Sequence, residues 1–296
     1  MTAGEQGMLL MTSSLGDPTR KPLTVAQFRK LTQRVRQAIA PEEDRDMVAD
    51  DLIALGYDPD EAARILKLLS EKGKLNRYLE KAKATDCRPI TRVNPDYPQI
   101  LRNRLKEDAP GTIWAKGDLS FLSLPAISVV GSRDLKDENW TFAAEIGRQA
   151  ALQNYVLVSG NARGADAIAQ ESCLASGGKV IAIVPDELTN YPIRENVLYL
   201  SADSFDAPFS SQRALYRNGL IHCMGQKVFV VQCSLAKGGT WSGTVNNLKH
   251  HYSDVFCLRD ESEASIQLSQ LGATLITGQD LLDIGALEAH YCQLSL

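Results

Sequence analysis

The chain reads as an α/β protein, a doubly wound and mainly parallel sheet preceded by a small all-helical module. Three observations predict this. From Ile127 onward, short apolar runs rich in Val and Ile recur, apolar at nearly every position as strands buried on both faces require. Between the runs, apolar residues return at helical spacing. Residues 24–88 instead carry caps and helical periodicity.

Residues 1–23 are a tail or a docked segment. EQGMLLMTSSLG can form a helical turn on a neighbour, and partial docking is the expectation. Thr24 caps a helix with Phe28, Leu31, Val35 and Ile39 on one face, and Pro41 opens a second with Val48, Leu52 and Leu55. The turn from Leu55 to Glu61 caps a helix over Ala62–Leu69, and Lys74–Lys83 forms another. These complete a helical module over residues 24–88. Residues 89–296 form the α/β domain, irregular or weakly extended from Asp96 to Pro125.

Ile127–Val130 is the first buried strand, and Gly131-Ser132-Arg133 ends it. Asp137 and Glu138 suit the first turn of the next helix, which packs through Phe142, Ala143, Ile146, Ala150 and Ala151. The unit then repeats as strand Tyr155–Val158, turn Ser159–Gly164 and helix Ala165–Ala175. Further strands are expected at Val180–Val184, Val197–Leu200, Lys227–Gln232 and Val255–Leu258. Helices are expected at Phe209–Cys223 with Leu215, Leu220 and Ile221 inward, at Gly243–His251 and at Ser262–Leu271; Gln279–Gln293 closes the chain.

Consecutive parallel strands put both small-residue turns at the carboxyl edge of the sheet, where open α/β folds bind ligands. Gly131, Gly160 and Gly164 let backbone approach an anion, helix N-termini offer unpaired N–H groups, and Ser132 and Asn161 add polar contacts. Arg133 and Arg163 give each turn a guanidinium fork. A third candidate loop comes after the fifth strand, with Lys237, Gly238, Gly239, Thr240, Ser242, Gly243 and Thr244. Neither tandem turn is a P-loop or a dinucleotide G-x-G-x-x-G fingerprint. Asp166 stands at a helix start, where it either caps backbone N–H groups or joins the site.

Composition narrows the partners. The formal charge is −4 over 296 residues, so nucleic acid would have to be held by a local patch rather than by the overall field. Lys67, Lys72, Lys74, Arg77, Lys81, Lys83, Arg88 and Arg92 form either a solvated helix face or a basic shoulder that guides a polynucleotide. The 6 cysteines are scattered without a C-x-x-C pair, as reduced thiols in a cytoplasmic protein would be, and no metal or cofactor is expected. No apolar run reaches membrane-spanning length, and no signal-peptide pattern opens the chain.

VVGSR, followed by LVSG-x-A-x-G-x-D, resembles the DNA-processing protein A (DprA/Smf) family, one of a wider group of Rossmann-like nucleotide-binding domains that includes the LOG phosphoribohydrolases. Asp96-Tyr97-Pro98 and Ala109–Gly117 are similar to that family's lead-in to the core, and Tyr191-Pro192, Asn196, Arg217-Asn218 and Gly272-Ala273 come next in its order. The resemblance implies an extended Rossmann-like domain that binds single-stranded DNA without catalysis, with Arg133, Arg163, Arg217 and Lys237 on phosphates and Arg213 and Asn218 nearby. It further implies transfer of the strand to a RecA-type recombinase and pairing as a homodimer. There are departures. Gly219 stands where the family usually has a second arginine, Ile168-Ala169-Gln170 supplies no His where the family usually has one shortly after the Asp, and Gln232 replaces a Glu. The segment after the core is expected to be too short for the winged-helix domain that some members append. LOG-type hydrolysis needs a carboxylate after Thr244, where Val245, Asn246 and Asn247 stand. A small-nucleotide sensor is the second reading.

Overall fold

The computed structural model describes residues 1–38, 47–202 and 204–289. Helix α1 (Ala3–Thr12) opens the chain under a capping box of Thr2 and Glu5. Helices α2 (Val25–Ala38), α3 (Ala49–Ala54), α4 (Pro59–Ser70) and α5 (Lys72–Lys83) come after it, with Asp58 capping α4 and Pro59 at its first position. Their shared core holds Leu23, Leu31, Leu52, Ile65 and Leu68. The readings of Ile39, Pro41 and Cys292 lie outside the described residues, as does the end of the Gln279–Gln293 segment.

The remaining elements build one sheet. Strands β1 (Arg88–Thr91) and β2 (Thr112–Lys116) flank α6 (Gln99–Leu105). Then come β3 (Ala126–Val130), α7 (Asp137–Leu152), β4 (Val156–Ser159), α8 (Ala165–Ala175), β5 (Lys179–Ile183) and β6 (Val197–Ala202). Helix α9 (Ser211–Met224), β7 (Lys227–Val230), α10 (Gly238–His250), β8 (Asp254–Leu258), α11 (Glu263–Gln270) and β9 (Thr274–Ile276) complete it. The strand order is β1-β2-β6-β5-β4-β3-β7-β8-β9, parallel throughout except where β2 pairs antiparallel with β1 and β6. The chain proceeds outward from β3 on one side as far as β6, then restarts with β7 on the other. The topological switch therefore lies between β3 and β7, where such folds place ligands.

Both faces of the sheet are covered, which is why its central strands are mostly apolar. Ile127, Val129 and Leu157 pack with Phe142, Ile146 and Ala169 of α7 and α8 on one face. Val130, Val156 and Val158 pack with Leu220, Ile221 and Leu248 of α9 and α10 on the other.

Four expectations are corrected. The stretch from Asp96 to Pro125 is not irregular: it holds α6 and the fully buried strand β2. TIWAK buries every residue because β2 lies inside the sheet between β1 and β6. The third loop is largely helical, since α10 begins at Gly238 rather than Gly243. Leu215 is 58% exposed, because α9 turns Leu220, Ile221 and Met224 toward the sheet and Leu215 away from it. The basic shoulder is not a continuous free stripe. Lys74 pairs with Asp17 at 2.5 Å, Lys81 pairs with Asp206 at 2.7 Å, and Arg88 donates to the Gly117 carbonyl at 2.7 Å.

Helix α1 is docked between helices and sheet, with Met8, Leu9, Leu10 and Met11 buried. Arg20 locks it there. Its side chain is 3% exposed, pairs with Glu71 at 2.7 Å, and donates to the carbonyls of Leu10, Ser13 and Leu68. The helices meet the sheet again at Tyr78, whose ring centroid lies 5.3 Å from that of Trp114 and 4.9 Å from that of Phe205, while its hydroxyl donates to Asp206 at 2.7 Å. Replacing Arg20 with Met leaves buried carbonyls without a donor. It is expected to cost about 2–4 kcal/mol of unfolding free energy in urea titration, and a loss under about 1 kcal/mol would refute the clamp.

Candidate functional site

The loops after β3 and β7 meet at the switch point and are tied by one amide. Gln232 accepts from the Lys136 N–H at 3.1 Å through Oε1 and donates to the Asp134 carbonyl at 3.3 Å through Nε2. A glutamate cannot make the second bond. Ser132 donates its N–H to the Gln232 carbonyl at 2.9 Å, and Thr240 donates its hydroxyl to the Gly131 carbonyl at 3.0 Å, so the start of α10 is pinned to the first turn. A cleft of about 510 Å³ opens here, with Gly131, Ser132 and Arg133 on one wall, Lys237, Gly238, Gly239 and Thr240 on another, and Asn218 of α9 between them.

The second turn is organised differently. Gly164 has φ of +85°, which lets the chain turn sharply into α8. Asp166, 8% exposed, accepts from the N–H groups of Gly160 at 3.0 Å and Ala162 at 3.2 Å, both through Oδ2. The chain's own carboxylate thus occupies donors that an anion would use. Burial pushes its pKa up to about 6, opposed by the Arg217 guanidinium and the two N–H groups.

Arg217 is 9% exposed and donates through Nη1 to the carbonyls of Gly160 and Ile183. Arg213 donates to Pro185 O at 2.9 Å, Ser201 Oγ at 2.9 Å and Ala202 O at 3.4 Å. Both arginines hold strand ends instead of presenting a free charge. Arg133 and Lys237 are exposed, and Arg163, also exposed, pairs with Asp134 at 2.9 Å. Asn161 is exposed at the lip with φ of +56°. Ser242 is exposed and donates to Gly238 O, whereas Thr244 is wholly buried and donates to Thr240 O at 2.7 Å. Gly243 faces His222 within the α9–α10 contact.

Sequence reasoning missed Phe209, Leu215 and His222, all of which line the cleft. The available signal was spacing: Leu215, Asn218 and His222 share one face of α9, at i, i+3 and i+7. Among the described residues no three His, Cys, Asp or Glu side chains gather to hold a metal ion. No described helix is long and apolar enough to cross a membrane.

The raised pKa of Asp166 has a definite sign. Between about pH 4 and 6 the folded chain keeps a proton that the unfolded chain has lost, so unfolding free energy falls as pH rises through that window. Asp166→Asn keeps an oxygen for both N–H groups. It is expected to remove this component of the pH dependence, about 2–3 kcal/mol for a shift of roughly two units, in denaturant titrations across pH 4–7. An unchanged pH profile would show that Asp166 titrates normally.

The chain matches the family described as DNA recombination-mediator protein A over residues 88–284. The Smf protein of Synechocystis is 24% identical over 246 residues, spanning 75% of this chain and 61% of that protein. The DNA processing protein DprA of Streptococcus pneumoniae is 30% identical over 191 residues, 59% of this chain and 67% of the relative. The X-ray structure of DprA from Streptococcus pneumoniae superposes with a TM-score of 0.73 at 21% identity, covering 97% of this chain and 100% of that one. A Helicobacter pylori DprA structure, described for its single-stranded DNA binding mode, gives 0.56 at 23% identity over 67% of this chain and 94% of that one. These structural likenesses speak to the fold. With the match running from Arg88 to Ile284, through the whole switch-point cleft, the chain belongs to the DNA recombination-mediator protein A (DprA/Smf) family.

Proposed function

We propose that the chain binds single-stranded DNA without chemical turnover, with phosphates along the carboxyl edge of the sheet. One observation carries the reading: Arg133, Lys237 and the open amino terminus of α10 converge on one cleft at the switch point. Arg163 adds a third exposed cation, because a fully exposed pair with Asp134 is worth little and can be exchanged for phosphate. Gly131, Ser132, Gly238, Gly239 and Thr240 line the path. Asp166, Arg213 and Arg217 shape it from behind. Asp166 is the one carboxylate lining the cleft among the described residues, and its Oδ2 is already engaged, which argues against hydrolysis.

The DNA-binding mode named for the Helicobacter pylori relative supports the ligand class. Delivery of the strand to a RecA-type recombinase, pairing of two copies and a cytoplasmic location complete the proposal and rest on family membership. A cleft of about 510 Å³ also suits one free nucleotide, so a small-nucleotide sensor is the second reading.

Salt separates the two. Three phosphate contacts give a log–log slope near −2 for an oligonucleotide, at about −0.7 per contact, and a far shallower one for a mononucleotide. In fluorescence anisotropy, Arg133→Ala with Lys237→Ala is expected to weaken strand binding by about 2–4 kcal/mol and to flatten the slope by about 1.4. Unchanged affinity in the folded double variant would remove the cleft from the DNA path. Flat, tight mononucleotide binding beside a flat oligonucleotide response would favour the sensor.

A further inference from the structure

Below the mouth of the cleft, α9 and α10 pack closely through glycine. Gly239 and Gly243, one turn apart on α10, face Asn218 and His222, one turn apart on α9. A Cβ at Gly239 would meet Asn218 Nδ2 at 2.5 Å, and one at Gly243 would meet His222 Nε2 at 2.9 Å. The glycines therefore make room for two polar side chains in a helix–helix contact.

Asn247, next on the same stripe of α10, sets the state of the imidazole. Its Oδ1 accepts from the Ser253 backbone N–H at 3.0 Å, a bond whose direction the backbone dictates. Its Nδ2 is thereby turned toward Ser253 Oγ at 2.9 Å and His222 Nδ1 at 3.3 Å. An amide N–H needs an acceptor, so Nδ1 carries no proton and the ring proton sits on Nε2. Ser253 Oγ in turn donates to the His222 carbonyl at 2.9 Å, which directs every proton in the chain.

The end of that chain is open. His222 is 1% exposed and lies among the residues that line the cleft, and its Nε2, buried beside Gly243, has no hydrogen-bond partner among the described residues. Burial holds the imidazole neutral, with its pKa down to about 4. A buried donor whose tautomer is held by Asn247 and Ser253 but which meets no acceptor among the described residues is poised for one supplied from outside.

We propose that His222 is a base-reading residue, donating from Nε2 to a ring nitrogen or carbonyl oxygen of a nucleobase in the cleft while the amino terminus of α10 holds the adjoining phosphate. This rests on the nucleic-acid reading above. The depth of the donor favours a base over a phosphate: Gly243 lies about 6 Å along α10 from Gly239, below the N–H groups that face an anion. A neutral donor also suits a neutral acceptor. Leu215, exposed on the same face of α9, offers an apolar edge to the ring of that base.

The test uses the full chain with fluorescein-labelled dA, dC and dT homopolymers and an abasic strand of equal length. The tightest homopolymer is expected to bind about three- to tenfold more strongly than the abasic strand, and His222→Leu to erase that difference while keeping the salt dependence. Nitrogen-15 spectra of the unmutated imidazole give a reading that no folding defect can imitate. The free ring should be protonated at Nε2, and that resonance should move with the preferred homopolymer and stay still with the abasic strand. Strands that bind without base dependence and leave Nε2 unmoved overturn base reading but keep the nucleic-acid proposal. A free ring protonated at Nδ1 overturns it as well. Failure of all four strands to bind overturns the nucleic-acid proposal, and base reading with it.

Discussion

The geometry of the cleft depends on two arginines of α9 that are used as donors to carbonyl oxygens. Arg217 reaches Gly160 O and Ile183 O, and Arg213 reaches Pro185 O and Ala202 O, so one helix gathers the carboxyl ends of β4, β5 and β6. Strand ends at a ligand edge leave carbonyls exposed and unpaired. A guanidinium, with five N–H groups in a fixed plane, satisfies several at once and sets their spacing. Asp166 offsets the charge this brings in and holds the Gly160 turn closed. The part of the carboxyl edge left open is thereby confined to the β3 and β7 loops and the start of α10.

Much of this was legible in the sequence, and the rest fails for identifiable reasons. The apolar runs at Ile127, Tyr155, Val180, Val197, Lys227 and Val255 locate six strands of the observed sheet because a strand covered on both faces has few polar positions. β1 and β9 are edge strands, short and only partly apolar, and β2 is masked because Thr112 and Lys116, polar yet buried, bracket only three apolar residues. The glycines of all three turns stand after β3, β4 and β7, at the carboxyl edge of the sheet. What spacing could not convey was which polar group answers which. Arg133 and Arg217 look alike in sequence, yet one is exposed and the other is 9% exposed among carbonyls.

A net charge of −4 is compatible with a locally cationic cleft, and some cations of the helical segment are paired. Asp17, Glu71 and Asp206 each take a basic partner from the helices or their connections. The Lys81–Asp206 pair ties α5 to the sheet domain, and the other two hold the helical segment together. Arg133, Arg163 and Lys237 remain exposed on the loops after β3, β4 and β7.

The position of α1 bears on how the chain is made. Leu9 and Leu10 belong to the core shared with β2 and β3, while Met11 belongs to the core of α2–α4. Helix α1 therefore has no complete binding surface until more than a hundred further residues have been synthesised. Its apolar face must wait exposed or be shielded, and its docking closes a long loop late in folding, a slow class of event. Helix α1 thus acts as a latch, set only after the strands it covers have been made.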